Sequence, residues 1–238
     1  MEYPPLIRGR ILRRYQRFLA DIELESGRVV TAHCANTGSM TSCWSPGAPA
    51  EISRSDNFKR KLPWTLERVD MGRGWVGVNT ARINAVIAEG IHRGRIPELR
   101  GYTGIRCEPS IEVPGHRRSR FDLLLTGCSG QPVYVEIKNT TLLIGDAVQF
   151  PDAVTERGRK HLDLLAAALE RGFRSVMLFA VNRPEGVHFQ PASEIDPGYA
   201  RRLKEVAARG VEVLAVRIRQ GTSSADIAQP DPSVPVRL

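Results

Sequence analysis

No apolar run in this 238-residue chain approaches the ~18 residues that a membrane span needs. Residues 1–18 (MEYPPLIRGRILRRYQRF) lack the unbroken apolar core and small-residue cleavage site of an export signal, so the expected location is the cytoplasm, with no membrane partner. Cysteine is scarce. Cys34, Cys43, Cys107 and Cys128 form no CxxC pair, and none has a histidine at metal-ligand spacing. His33 adjoins Cys34, but neighbours on a strand face opposite ways. The pattern gives no support to a zinc site, and the four sulfurs read as buried thiols in a reducing compartment. The GxSxG nucleophile elbow and the GxxxxGK[ST] phosphate loop are both absent. Gly72, Gly74 and Gly77 match a dinucleotide fingerprint by spacing alone. Residues 75–78 continue as a strand where a helix has to open, so these glycines read as a hairpin turn.

What is present is a globular composition, 42% hydrophobic and 25% charged, with a net charge of +8. Residues 1–80 carry 12 Lys and Arg against 8 Asp and Glu, and the remainder 22 against 18, so the excess is not held in a tail. Most of it is arginine, whose planar fork suits phosphate. On charge alone, a polyanion partner and a soluble protein that is merely basic weigh equally.

The first 80 residues read as all-β. In FLADIEL (18–24), Phe18, Ala20, Ile22 and Leu24 share one face; Ser26-Gly27 turns the chain and RVVTAH (28–33) returns it. LIRGRILRR, AEIS and the segments 65–70 and 75–79 add short strands, which together predict a small barrel. Near residue 80 the period changes. Asn79 or Thr80 caps a helix over ARINAVIAEGIHRG, with Ile83, Val86, Ile87 and Ile91 as its apolar stripe. Strands follow near 107–113, 120–126 and 132–139, then a helix over 155–172 closed by Gly172. SVMLFAV and VEVLAVRI are strands buried on both faces, separated by a helix opened by Asp196-Pro197. The expected fold class is α/β (α+β). A barrel occupies residues 1–80, a mixed sheet flanked by helices 81–219, and a loose Ser/Pro-rich tail 220–238.

The sharpest chemical signal is Asp122 in RFDLLL with Glu136 and Lys138 in VYVEIKN. Positions i and i+2 of a strand share a face, so Glu136 and Lys138 stand side by side with Ile137 turned into the core. Asp122 lies on the preceding antiparallel strand, across the turn at 127–130. Charges amid apolar strands are costly unless paired or metal-bound, and a divalent cation relieves two adjacent carboxylates. Oxygen ligands with open positions suit Mg²⁺ or Mn²⁺, which would activate water at a phosphodiester. The plain alternative is a cross-strand ion cluster on a solvated face.

This D…ExK pattern behind an amphipathic helix resembles the PD-(D/E)xK nuclease superfamily, with Phe121 where the motif has proline. QRFLADIEL, HCANTGSM, SDNFKRKLPWT, SRFDLLL, VYVEIKNTTL, FPDAVTERGRKHL and GVEVLAV resemble the sugar fermentation stimulation protein A family along nearly the whole chain. The resemblance implies an N-terminal OB-fold, a C-terminal restriction-endonuclease-like domain and DNA binding. It also implies a regulatory role in sugar, chiefly maltose, metabolism, and Asp122, Glu136 and Lys138 as catalytic-type residues.

The nuclease resemblance implies an acid on the first helix, which makes Glu89 the candidate third metal ligand, although it sits off the apolar stripe and points equally well into water; Glu156 with Lys160 is a supporting pair that also reads as a helix-start i,i+4 contact. Candidate nucleic-acid contacts are Arg13, Tyr15 and Arg17 on the barrel, Lys59, Arg60 and Lys61 in a cationic loop, Arg117, Arg118 and Arg120 at the mouth of the site, and Arg157 at a helix start. Asn36-Thr37-Gly38-Ser39 is a donor-rich turn. His161 lies on the FPDAVTERGRKH helix, where it can approach the site, and with no shared ligand spacing it is assigned no role. Three readings stay open: a metal-dependent phosphodiesterase acting on DNA, a catalytically silent DNA-binding regulator, and an RNA-processing factor. A homodimer is compatible with each.

Overall fold

The computed structural model describes residues 1–112, 119–127, 130–229 and 231–238. The alternating N-terminal segments form β1 (Leu6–Tyr15), β2 (Leu19–Leu24), β3 (Val29–His33), β4 (Pro49–Arg54), β5 (Trp64–Asp70) and β6 (Trp75–Gly77). They pair in the order β3-β2-β1-β4-β5-β6, and β3 also pairs in parallel with β5 through Ala32–Trp64 and His33–Thr65. The ring β1-β2-β3-β5-β4 therefore closes, giving a five-stranded, OB-like barrel. Its interior is the inward set of each strand, including Ile11, Ala20, Ile22, Ala32, Ile52 and Leu66. Phe18 departs from the expected face. It precedes β2, in a turn where Gln16 and Arg17 take left-handed φ of 49° and 66°, and it is 44% exposed.

Asn79 starts the second half: its side chain accepts from the Ala81 N–H, one turn before α1 (Ile83–His92). There follow β7 (Gly104–Cys107), β8 (Ser110–Ile111), β9 (Ser119–Arg120), β10 (Leu123–Thr126), β11 (Val133–Thr140), β12 (Leu142–Ile144) and β13 (Ala147–Phe150). The chain ends through α2 (Glu156–Glu170), β14 (Arg174–Val181), β15 (His188–Pro191), α3 (Pro197–Ala208), β16 (Glu212–Gln220) and β17 (Ala225–Ile227). The main sheet runs β17-β16-β14-β11-β10-β7, with β11, β14 and β16 parallel and antiparallel strands on both flanks. The α1 stripe packs with Leu123, Val135, Ile137 and Leu178 on one face. Residues of α2 and α3 pack with Tyr134, Met177 and Phe179 on the other. The mixed sheet thus carries helices on both faces.

Two features differ from the sequence expectation. β12, β13 and β15 form a separate three-stranded sheet. The segment from 220, expected to be loose, is bound: β17 pairs with β16, Ala225 and Ile227 join the α1 core, and Val234 is buried. Apolar residues spaced two apart give this Ser/Pro-rich stretch something to bury. No helix among the described residues is long and apolar enough to cross a membrane.

The junction between the barrel and the second half is built from buried polar contacts. The Arg68 guanidinium lies over the rings of Tyr3 and Trp75, at 5.4 and 4.8 Å from their centroids, and donates to Glu51 and to the Thr222 carbonyl. Arg82 pairs with Glu67 at 2.6 Å. The Gly77 N–H donates to the Asn182 carbonyl at 2.9 Å, and a Cβ on Gly77 would fall 2.3 Å from the Asn182 side chain.

Candidate active site

β11 delivers the expected pair. Glu136 and Lys138 stand in register with Met177 and Phe179 of β14, while Ile137 joins the core on the α1 side. Glu136 is 2% exposed, and the Lys138 Nζ donates to its Oε1 at 2.5 Å. Thr155 caps α2, its Oγ1 accepting from the Gly158 N–H at 3.0 Å. From that start the helix turns His161 onto Glu136, where Nδ1 meets Oε1. Burial alone would raise the Glu136 carboxyl, but the His161 hydrogen bond and the Lys138 charge hold it below the usual carboxylate range. Its second oxygen, Oε2, is buried and has no hydrogen-bond partner among the described residues.

Pairing of Leu123 with Val135 brings Asp122 to the start of β10, against β11. Its Oδ2 accepts from the Ile137 N–H at 2.7 Å and its Oδ1 from the Asn84 Nδ2 at 2.8 Å. Asp122 is thus fastened to the backbone of the residue between Glu136 and Lys138. Burial raises its pKa first, and the Glu136 charge raises it further. Asp122, Lys138 and Asn84 line a cleft of about 500 Å³, whose other wall carries Asn36, Thr37 and Gly38 of the barrel. Asp152 crosses it, accepting from the Met40 N–H at 3.0 Å and from the Ser39 hydroxyl. Arg14 holds the barrel wall in shape, donating to the carbonyls of Arg17, Asn36, Gly38 and Ser39.

Arg17 and Arg157 line this cleft; Arg60 and Lys61 line a neighbouring cleft on the barrel, with Lys59 exposed in the same loop. Arg13 and Tyr15 line neither. Arg13 pairs with Asp21 at 2.7 Å and lies over the Tyr15 ring, whose hydroxyl donates to the same carboxylate. Arg120 pairs with Glu108 at the surface. Arg117 and Arg118 lie outside the described residues. Glu156 and Lys160 are exposed on α2 and are absent from the cleft wall.

Glu89 does not join the site. It pairs with the Met1 ammonium at 2.7 Å and with Arg93 at 2.7 Å. Asn84 is the α1 residue that faces Asp122, and five residues further on the helix has turned by about 140° at ~100° per residue. Sequence reasoning missed Asn84 because a lone amide on a helix carries no charge signal. It left His161 unassigned because the contact spans 25 residues. Tyr199 was missed for the same reason: it is buried behind the site, its hydroxyl without a hydrogen-bond partner among the described residues and pushed well above its ordinary pKa by burial and by the nearby Glu136 charge.

Among the described residues no three His, Cys, Asp or Glu side chains converge as a ready metal cluster. The donor set is smaller: two carboxylates, one of them with a buried, unpartnered oxygen. That set fits a hard divalent cation, which takes one or two protein carboxylates and fills the rest with water and phosphate oxygens.

Comparison with known proteins covers both halves. Residues 12–78 match the family model described as the SfsA N-terminal OB domain, and residues 81–224 match the Sugar fermentation stimulation protein RE domain. A sugar fermentation stimulation protein homolog of Magnetococcus marinus is 48% identical over 231 residues, 97% of each chain. One from Geotalea uraniireducens is 50% identical over 218 residues, covering 91% of this chain and 92% of the other. Among solved structures, Pyrococcus furiosus SfsA in complex with Ca²⁺ superposes with a TM-score of 0.88 at 26% identity, covering 100% of this chain and 98% of that one.

Proposed function

We propose that this chain, which belongs to the sugar fermentation stimulation protein family, binds DNA in the cleft between its two domains and hydrolyses a phosphodiester there. The observation that carries this is the pair Asp122 and Lys138 at the wall of a cleft lined also by Arg17 and Arg157, with the buried Glu136 bonded to Lys138. The N-terminal domain, residues 1–80, supplies one wall and the C-terminal domain, from residue 81, the other. Asp122 and Glu136 are the residues that would hold a divalent cation, Mg²⁺ or Mn²⁺; the relative from Pyrococcus furiosus was solved with Ca²⁺. Such an ion supplies Lewis acidity to the phosphodiester. Lys138 stabilises the charge that develops on phosphate oxygens. Lys138 and His161 together keep Glu136 ionised, and the Ile137 N–H and Asn84 fix the orientation of Asp122. Arg17 and Arg157 hold backbone phosphates and carry no sequence information.

One observation favours a second reading, in which the chain holds DNA without cutting it: the Lys138 ammonium is already bonded to Glu136. Incubation of the purified protein with plasmid and Mn²⁺ or Mg²⁺ separates the two. Cleavage that is lost in Lys138→Ala supports hydrolysis. Binding without cleavage supports the silent regulator, and tighter binding of structured RNA than of DNA supports an RNA role. The affinity for DNA should fall steeply with salt, because bound phosphates release counterions. A role in sugar metabolism follows from the family name alone.

A further inference from the structure

The barrel carries a second cleft, of about 770 Å³, beside the first. Its lining includes Phe18 from the β1–β2 turn, Arg54 at the end of β4, and Arg60 and Lys61 from the loop that joins β4 to β5. These are the two loops by which OB barrels hold oligonucleotides. The lining is richer in cations than in acids. Arg54 lies 5.9 Å from the Trp64 ring centroid, Arg60 donates to the Thr65 hydroxyl, Lys61 is exposed, and Asp56 is the only acid among the described residues of the lining. Two aromatic rings face solvent: Phe18 is 44% exposed, and Phe58, in the same β4–β5 loop, is 96% exposed.

The two clefts share a rim. Arg17, Asn36 and Thr80 line the first, and their chain neighbours Phe18, Ala35 and Asn79 line the second. A strand leaving the Asp122–Lys138 wall past Arg17 therefore meets Phe18 next. Paired bases are stacked on one another and offer no free face to a protein ring, whereas unpaired bases stack readily on exposed aromatics beside cations.

We infer that the barrel cleft holds an unpaired DNA segment, so that the preferred ligand is a duplex with a single-stranded extension, its junction lying over the Asp122–Lys138 cleft. This rests on the reading above that the first cleft takes a DNA phosphodiester. The test is fluorescence anisotropy, in EDTA, with three probes of one sequence: a blunt duplex, the duplex with a single-stranded DNA extension, and the duplex with an RNA extension. Wild type is compared with Phe58→Ala and with Phe18→Ala. Neither ring is part of the core, and Phe58 packs on almost nothing.

The wild type should bind the DNA-extended duplex at least tenfold more tightly than the blunt one. Each substitution should cut that ratio by about fivefold or more, the cost of a lost base–ring stack. Equal affinity for blunt and extended duplexes, or a ratio that the variants leave unchanged, overturns the inference while leaving cleft binding intact. No salt-sensitive binding of any probe removes both. A tighter grip on the RNA extension than on the DNA one overturns the assignment to DNA.

Discussion

Replacing Asp122 by Asn tests the electrostatics of the site apart from any reaction. Asp122 is held in a place where its charge is disfavoured, because it is buried and faces the ionised Glu136. Its two oxygens nevertheless satisfy the Ile137 N–H and the Asn84 amide. An Asn side chain can keep both contacts: its oxygen accepts from Ile137, and Asn84 turns its amide to accept from the new NH₂ group. The substitution removes a repulsion without stranding a donor. In EDTA at pH 7.5, Asp122→Asn should be as stable as the wild type or more stable, by about 0.5–1 kcal/mol, as is common when a functional site is neutralised. Asp122→Ala instead leaves the Ile137 N–H without its acceptor and should lose about 1–3 kcal/mol. Urea denaturation at matched m-values measures both. Adding Mn²⁺ completes the assay: at one hundred times its dissociation constant, a ligand specific to the folded state adds about 2.7 kcal/mol. The wild type should gain, and Asp122→Asn should gain little. Equal losses in the Asn and Ala variants would refute the account of the repulsion, and equal gains with Mn²⁺ would refute the role of Asp122 as a ligand.

Other predictions probe the frame. A Cβ on Gly38 would lie 2.3 Å from the Asp152 carboxylate, so Gly38→Ala should displace that side chain, break its bonds to Met40 and Ser39 across the cleft and lower stability by about 0.5–1.5 kcal/mol, read by thermal melting; an unchanged melting temperature contradicts the contact. Asp196 is buried, which opposes ionisation, but the N–H groups of Thr155 and Tyr199 and the Arg159 guanidinium outweigh this and hold its carboxyl below the usual range. A depressed folded pKa stabilises above the unfolded value of about 3.9 and is lost as pH falls through the folded value. Asp196→Ala should therefore be less stable than wild type by about 1–3 kcal/mol at pH 7, with the gap shrinking below pH 4; a gap that does not change with pH removes the assignment. Burial pushes the Cys43 thiol up to about 11, whereas Cys107 is exposed. Cys107 should label with a maleimide within minutes and Cys43 only on unfolding, as mass spectrometry of the native protein can check.

Local patterns were legible in the sequence, and contacts across long chain separations were not. FLADIEL and RVVTAH gave β2 and β3 because alternation is a property of adjacent residues. Closure of the barrel depends on Ala32 meeting Trp64, which no local pattern announces. The same holds for β15, which pairs with β13 about forty residues away. Glu136 and Lys138 were legible as neighbours from the period of two alone. Asn84, which holds Asp122, and His161, which meets Glu136, come from helices on opposite faces of the sheet, and Glu89 attracted attention as the first-helix acid that the nuclease resemblance implies. Phe18 followed the alternating pattern yet stays in solvent, because the turn before β2 ends one residue later than the pattern implied.

The central claim, that Asp122, Glu136 and Lys138 work together on a phosphodiester, is tested most directly by plasmid nicking with Mn²⁺ in wild type and Lys138→Ala. The wild type should cut. The variant should fold, bind plasmid and cut about 10²–10³-fold more slowly, the cost of removing one group that stabilises developing charge. Equal rates in the two proteins, or no cutting by a wild type that binds both plasmid and Mn²⁺, would contradict it.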